Sequence, residues 1–181
     1  MTELDRAIDT IIASLKSGGT VYACGNGGSD AHAGHLVAEL IGRFAYDRPP
    51  LRAVHLSSGG PVGSCIANDY GWEQVFARQV EALCKAPWAR EADEAAEHCL
   101  VVFTTSGRSR NVVEALSAAE AADAHAVAFT GPAGLDDWDS EMVGPHHAVR
   151  SSATSTAAIQ EEHQRQVHLV AEAVEKAMFP K

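Results

Sequence analysis

The feature that most constrains this fold is the run Thr20-Val21-Tyr22-Ala23-Cys24-Gly25-Asn26-Gly27-Gly28-Ser29, which continues through Asp30-Ala31-His32-Ala33-Gly34-His35-Leu36-Val37-Ala38-Glu39-Leu40. Thr20 to Ala23 is short, apolar and β-rich, the pattern of a buried parallel strand, and the residues after the glycines have helical spacing. Strand, glycine turn and helix in that order form a ligand-binding corner of an open α/β sheet. Glycines let the backbone approach a ligand closely, and the amides that open the helix favour an anion. Asn26 and Ser29 add neutral hydrogen bonds for phosphate oxygens or sugar hydroxyls. A dinucleotide fingerprint needs a third glycine where Asp30 stands, so the turn predicts a small phosphate or sugar and no nicotinamide. Further on, His35 and Glu39 are four residues apart and share a helix face. That spacing serves one metal ion, one substrate, or simply a surface hydrogen bond.

Composition narrows the classes. With 181 residues, 46% of them hydrophobic, the chain reads as one domain, residues 1–181, with a real core. A formal net charge of −10 provides no basic field for nucleic acid or an anionic membrane surface, so any phosphate must be held by local amides and hydroxyls. No apolar run approaches membrane-spanning length and Met1-Thr2-Glu3-Leu4-Asp5 is too polar for a secretion signal, so a cytoplasmic protein is expected. Cysteines 24, 65, 84 and 99 lack CxxC spacing and read as buried free thiols.

Along the chain, Leu4, Ala7, Ile8, Ile11, Ile12 and Leu15 predict a first helix stopped by Gly18-Gly19. The helix after the glycine turn is expected to end near Gly42, and a loop then leads to a second strand, Arg52 to Leu56. Arg43, just beyond the His/Glu helix, is a candidate site residue. The chain breaks at Ser57-Ser58-Gly59-Gly60-Pro61. A short helix from Ser64 is read as closing in an Asn68-Asp69 turn, an amphipathic helix is expected over Glu73 to Leu83, and Cys84 to His98 reads as a polar connection. Cys99 to Phe103 is a third, fully apolar strand, followed by Thr104-Thr105-Ser106-Gly107-Arg108-Ser109 and a helix from Asn111 to Ala122. Four hydroxyls around one glycine after a buried strand suit a phosphate monoester, with plain N-capping as the structural alternative. His125 to Thr130 is a fourth strand and His146 to Arg150 a fifth, at an edge, with a short acidic helix, Leu135 to Val143, between them. The last helix opens from Ser151-Ser152-Ala153-Thr154-Ser155-Thr156 and runs to about Met178. On it Gln160 and His168 lie eight apart, about 80° around the axis. With Glu161, Glu162 and His163 they form either a solvated face or a site shared with a neighbouring subunit.

Together, CGNGGS followed by HxxxEL, the Asn68-Asp69 pair, TTSGRS after a strand and AIQEEHxxxxH on the last helix resemble the phosphoheptose isomerases. These are sugar isomerase (SIS) domain proteins that convert sedoheptulose 7-phosphate to a heptose 7-phosphate. The resemblance runs from about Leu15 to Phe179. It implies a three-layer, flavodoxin-like α/β fold with a five-stranded parallel sheet between helices, and a homotetramer with active sites at subunit interfaces. Carried over by motif, it implies Zn²⁺ on His35, Glu39, Gln160 and His168, with Glu39 and His168 also the acid/base pair. It implies phosphate on Ser29, Thr104, Ser106 and Ser109 with Thr105 beside them, and sugar contacts at Asn26 and Asp69. Gly27, Gly28, Arg43, Asn68 and Gln160 complete the expected substrate-binding set.

The chemistry suits these residue types. Aldose–ketose isomerisation moves a proton between adjacent carbons through an enediol, which needs a base over carbon, an acid at oxygen and a cationic group for the developing charge. Some positions depart from the family. Ala157 stands where relatives often have an acidic residue, Thr104 replaces a more usual serine, and many relatives have a helix preceding the first one here. The competing expectation is a non-catalytic adaptor resembling the DnaA-binding initiator-associating protein, which shares the scaffold and a Phe-Pro tail, here Phe179-Pro180. An adaptor has no need of His35, Glu39 and His168, so their presence favours catalysis.

Overall fold

Five short apolar runs fold into one sheet because each is bounded by glycine or polar turns and separated from the next by a segment of helical periodicity. The computed structural model describes residues 1–57, 59–84, 96–135 and 147–181. Its elements are α1 (Glu3–Lys16), β1 (Val21–Gly25), α2 (Gly28–Ile41), β2 (Ala53–His55), α3 (Gly60–Tyr70), a 3₁₀ turn (Trp72–Gln74), α4 (Ala77–Cys84), β3 (Cys99–Thr104), α5 (Arg110–Ala121), β4 (His125–Thr130), β5 (His147–Arg150) and α6 (Thr156–Met178). The strands pair in parallel in the order β2-β1-β3-β4-β5, with Gly25 opposite Phe103 and Thr104 opposite Thr130.

All six residues of β3 are buried, and they alternate between two cores. Cys99, Val101 and Phe103 face α1, α2 and α6, whereas Leu100 and Val102 face α4 and α5. This is the three-layer α/β architecture. Phe103 and Phe129 stack across β3 and β4 with ring centroids 4.9 Å apart, both fully buried. Truncating either to alanine should cost roughly 3–5 kcal/mol. The first layer begins cleanly because Thr2 and Asp5 form a reciprocal capping box at α1, and Ala7, Ile11 and Leu15 turn its apolar stripe inward.

Strand order reverses between β1 and β3: the chain leaves β1 for α2 on one face and β3 for α5 on the other. The turns at Gly25–Gly28 and Thr104–Ser109 therefore stand side by side at the carboxyl ends of neighbouring strands, the place where such sheets bind ligands.

Several sequence expectations need correction. β1 extends to Gly25, so the first residues of the glycine motif belong to the strand. Gly60 and Pro61 open α3 rather than breaking the chain, since proline is tolerated in a first helical turn. Asn68 and Asp69 are helical, and the reversal comes at Gly71, whose φ of 92° only glycine adopts readily. The helix expected over 73–83 divides into the 3₁₀ turn and α4. Cys65 is exposed and Cys84 half-buried, leaving only Cys24 and Cys99 as buried thiols. Burial pushes the Cys84 and Cys99 thiols up to about 12. The acidic helix expected over 135–143 and most of the connection at 84–98 lie outside the described residues. Among the described residues, no helix is long and apolar enough to cross a membrane.

Candidate active site

Two helices of the first layer, α2 and α6, run alongside each other and build a polar seam. Glycine and alanine at 28, 31, 33, 34 and 38 keep α2 slim, so the side chains of α6 lie directly on it. The contacts advance in step. Gln160 lies over Gly28, where an added Cβ would run into its carboxamide. One turn on, the Gln164 carboxamide meets His32 and His35: Oε1 is 3.2 Å from His32 Nδ1, and Nε2 is 2.9 Å from His35 Nδ1. A further turn brings His168, with Nε2 3.1 Å from Gln164 Nε2 and its ring 5.1 Å from that of His35 at 74°. The other nitrogen of His35, Nε2, lies 2.9 Å from Glu39 Oε1.

His35, Glu39 and His168 thus converge, each offering one ligand atom within 4.8 Å of the others. Two imidazoles and a carboxylate are a donor set suited to zinc, leaving further positions for another donor or a substrate oxygen. The residues present therefore fit the metal that the sequence resemblance implies.

Behind this cluster the seam is buried. His163 is fully buried and its Nε2 lies 3.3 Å from the Thr130 carbonyl, while its ring packs edge-on against Phe103 and His32. Burial lowers the pKa of both His32 and His163 below the usual histidine value, so both are neutral at neutral pH. Below the cluster a buried ion pair fixes both helices. Glu175 accepts hydrogen bonds from the Phe44 and Ala45 amides at 3.0 and 2.8 Å, and Arg48 Nε lies 3.5 Å away. Arg48 donates to the carbonyls of Glu39 and Leu40 at 2.6 and 2.7 Å, capping the end of α2 where Glu39 sits. Burial pushes the Glu175 carboxyl up, but the Ala45 and Phe44 amides and the Arg48 guanidinium outweigh it and hold its pKa below the ordinary value.

The second turn is built differently. Thr104 is buried, with Oγ1 accepting from the Gly107 amide at 3.1 Å, and Ser106 Oγ accepts from the Arg108 amide at 3.2 Å. Gly107 has φ of 69° and abuts the Gly134 carbonyl, so no side chain fits there. Each of these hydroxyls still has its O–H to donate, Ser109 makes no cap bond with its side chain, and the first amides of α5 point out of the turn. Ser106 is exposed, and Thr105 and Ser109 are half-buried. The turn can therefore give several neutral donors to one anion.

Asn26 joins the two turns. Its amide exchanges two hydrogen bonds with Asn111 in the first turn of α5, at 2.8 and 2.9 Å. Ser29 is buried in the first turn of α2, beside the positive-φ Gly27. Asn68 and Asp69 sit on exposed α3, where Asn68 Nδ2 donates to Asp69 Oδ1 at 2.7 Å. Arg43 is exposed beyond α2. The structure thus gathers His35, Glu39 and His168, sets Gln160 two turns away over Gly28, and leaves Arg43, Asn68 and Asp69 on the surface.

Sequence reasoning missed Gln164, Asn111, and the Arg48–Glu175 pair. Gln164 was legible as the midpoint of a row spaced by four residues, 160, 164 and 168. Glu175 was legible as a carboxylate among the apolar positions Val167, Val170, Ala171 and Val174. Asp30, noted only as the residue that excludes a dinucleotide fingerprint, has a partner of its own, His55 Nε2 at 2.7 Å.

Comparison with known proteins gives consistent relatives. A family model described as the SIS domain matches residues 1–131. The phosphoheptose isomerase of Thiobacillus denitrificans is 37% identical over 182 residues, spanning 97% of this chain and 84% of its own length. The solved phosphoheptose isomerase of Francisella tularensis superimposes with a TM-score of 0.82 at 29% identity, over 96% of this chain and 85% of that one. That of Neisseria gonorrhoeae gives a TM-score of 0.78 at 32% identity, with coverage of 96% and 85%.

Proposed function

The chain belongs to the SIS domain family and is a sugar-phosphate isomerase, and from that premise we propose that it converts sedoheptulose 7-phosphate, or a closely related seven- or eight-carbon ketose phosphate, to the heptose 7-phosphate through an enediol. The observation that carries this reading is the convergence of His35 and Glu39 from α2, the helix that opens at the glycine turn, with His168 from α6, within 4.8 Å.

The two turns divide the work. O–H groups of Thr104, Thr105, Ser106 and Ser109, with the opening amides of α5, take the phosphate; Gly27, Gly28 and Ser29 border it from α2. Binding energy gained at the phosphate orients the far end of the sugar, where the proton moves. Glu39 and His168 share that transfer, one taking a proton from carbon while the other serves oxygen. Zinc, held by His35, Glu39 and His168 with Gln160 as the fourth donor the resemblance implies, would supply Lewis-acid polarisation of the carbonyl. Asn26, Asn68, Asp69 and Arg43 are the proposed sugar contacts. The last three are exposed in this single chain, and Val62, Tyr70 and Trp72, on α3 and the 3₁₀ turn after it, are large apolar residues at least half exposed. Such a surface supports the further reading of a homotetramer in which a neighbouring copy completes each site.

Product analysis with purified protein and sedoheptulose 7-phosphate tests the reading. A new aldose phosphate that disappears on chelation and returns with zinc is the expected result. Absence of turnover on seven- and eight-carbon substrates in zinc-replete protein would overturn the assignment in favour of the non-catalytic adaptor.

A further inference from the structure

We infer that Phe44 is a positioning residue of the proposed reaction, its ring lying against the imidazole of His168 and fixing the direction in which that imidazole meets the substrate. The inference rests on the isomerase reading above and adds to the site a residue of the loop after α2 that the expected set does not include.

His168 is exposed on α6, where a side chain left to itself samples several rotamers. Three polar or ring contacts restrain it. Gln164 Nε2 lies 3.1 Å from its Nε2, and the His35 ring meets it edge-on, 5.1 Å away at 74°. The third is Phe44, whose ring centroid is 5.8 Å from that of the imidazole, with the planes tilted by 38°. A hydrogen bond restrains a histidine only while the right nitrogen carries, or lacks, a hydrogen. The flat apolar face of Phe44 restrains it whichever nitrogen does.

Phe44 can serve in this way because α6 holds its main chain. Glu175 lies seven residues beyond His168, two turns along the same side of the helix. Its carboxylate accepts the Phe44 and Ala45 amides at 3.0 and 2.8 Å. Tyr46 fastens the loop further on, donating its hydroxyl to the carbonyls of Phe179 at 2.7 Å and Glu175 at 3.2 Å. One helix thus carries the imidazole and also anchors the residue whose ring lies against it, so the two rings keep a common frame. Phe44 itself is half-buried and belongs to neither apolar core, so shortening it opens no cavity in the interior.

Steady-state kinetics at saturating zinc, with sedoheptulose 7-phosphate or its eight-carbon homologue as substrate, separate this role from simple packing. Phe44→Ala should lower kcat about 10–100-fold, the effect of a displaced reacting group, with KM little changed because the phosphate is held at the other turn. Phe44→Tyr keeps the flat ring and should restore most of kcat. Phe44→Leu makes the same comparison if alanine disturbs the loop, and it should stay slow while circular dichroism remains native. Wild-type kcat in the alanine and leucine variants would overturn the inference alone. A raised KM at unchanged kcat would overturn it too, by making Phe44 a substrate contact, as would a tyrosine variant no faster than the alanine one. Absence of turnover by the wild-type protein would overturn the functional reading itself, and the role of Phe44 with it.

Discussion

The turn after β1 and the turn after β3 have the same architecture, occupy neighbouring strands and were both legible as anion sites, yet they carry different chemistry. In the first, α6 lies across the helix that follows, so nitrogen and carboxylate side chains of two helices face one another along a seam. In the second, the backbone at Gly131 and Gly134 lies against the turn; Thr104 is buried, Thr105 and Ser109 are half-buried and Ser106 is exposed, and Thr104 and Ser106 keep their O–H groups to give. One turn became a site of ionisable groups, the other a site of neutral donors. What is packed over the helix, more than the turn itself, decides which.

If that contrast is right, substitutions in the two regions should fail in different ways. The largest effect is expected at His168→Ala, which removes an exposed ring from the seam: kcat should fall by about 10²–10⁴ while thermal unfolding barely changes. Retained activity would break the contrast outright. Glu175→Ala should act through stability, costing roughly 3–5 kcal/mol in denaturant unfolding because it strands the Arg48 charge in the interior. A mild loss there would show that the seam does not depend on its buried anchor. Asn111→Ala tests the tie between the turns: it leaves the Asn26 amide unpaired and should cost about 1–3 kcal/mol, with KM raised as the turns separate. The smallest effect is expected at Ser106→Ala, where one neutral hydrogen bond is worth about 0.5–1.5 kcal/mol and should appear in KM for the phosphate substrate with kcat little changed. A larger fall in kcat than in affinity would place Ser106 in the chemistry and erase the division.

Acid should also find the seam first. His32 and His163 have folded pKa values below their ordinary 6.5, so the unfolded chain binds protons more readily. Their contribution is present above 6.5 and is lost as pH falls through the lower folded values. Glu175 adds a second loss at lower pH, since its folded pKa lies below 4.5 and its stabilisation disappears only as the carboxylate is protonated. Thermal melting from pH 8 to 2 should therefore decline in two stages, the histidine stage below 6.5 and the Glu175 stage below 4.5. A flat profile across the histidine range would mean that water already reaches these rings.

Much of this protein was fixed by local pattern. Five apolar runs broken by glycine, helical spacing in Leu4 to Leu15, and the His35/Glu39 pair four residues apart were readable because strand burial and helix periodicity follow from near neighbours. The Ser151 to Thr156 cap cluster was readable in the same way, and Ser155 caps α6 by accepting from the Ala158 amide. Where sequence reasoning went astray, local signals competed: Gly60-Pro61 reads equally as a break or as the first turn of a helix, and Asn-Asp is at home in a turn or near a helix end. What only the tertiary structure decided was pairing across distance. That Gln164 reaches His32 and His35, that Asn26 spends its amide on Asn111, and that Glu175 holds Arg48 all depend on how far each helix slides and rotates on the sheet. A shift of one residue along α6 moves a side chain about 1.5 Å and turns it about 100°, enough to replace Gln164 with a neighbour. Sequence periodicity gives the face of a helix; the small residues of α2 and the packed rings of Phe103 and Phe129 set its register.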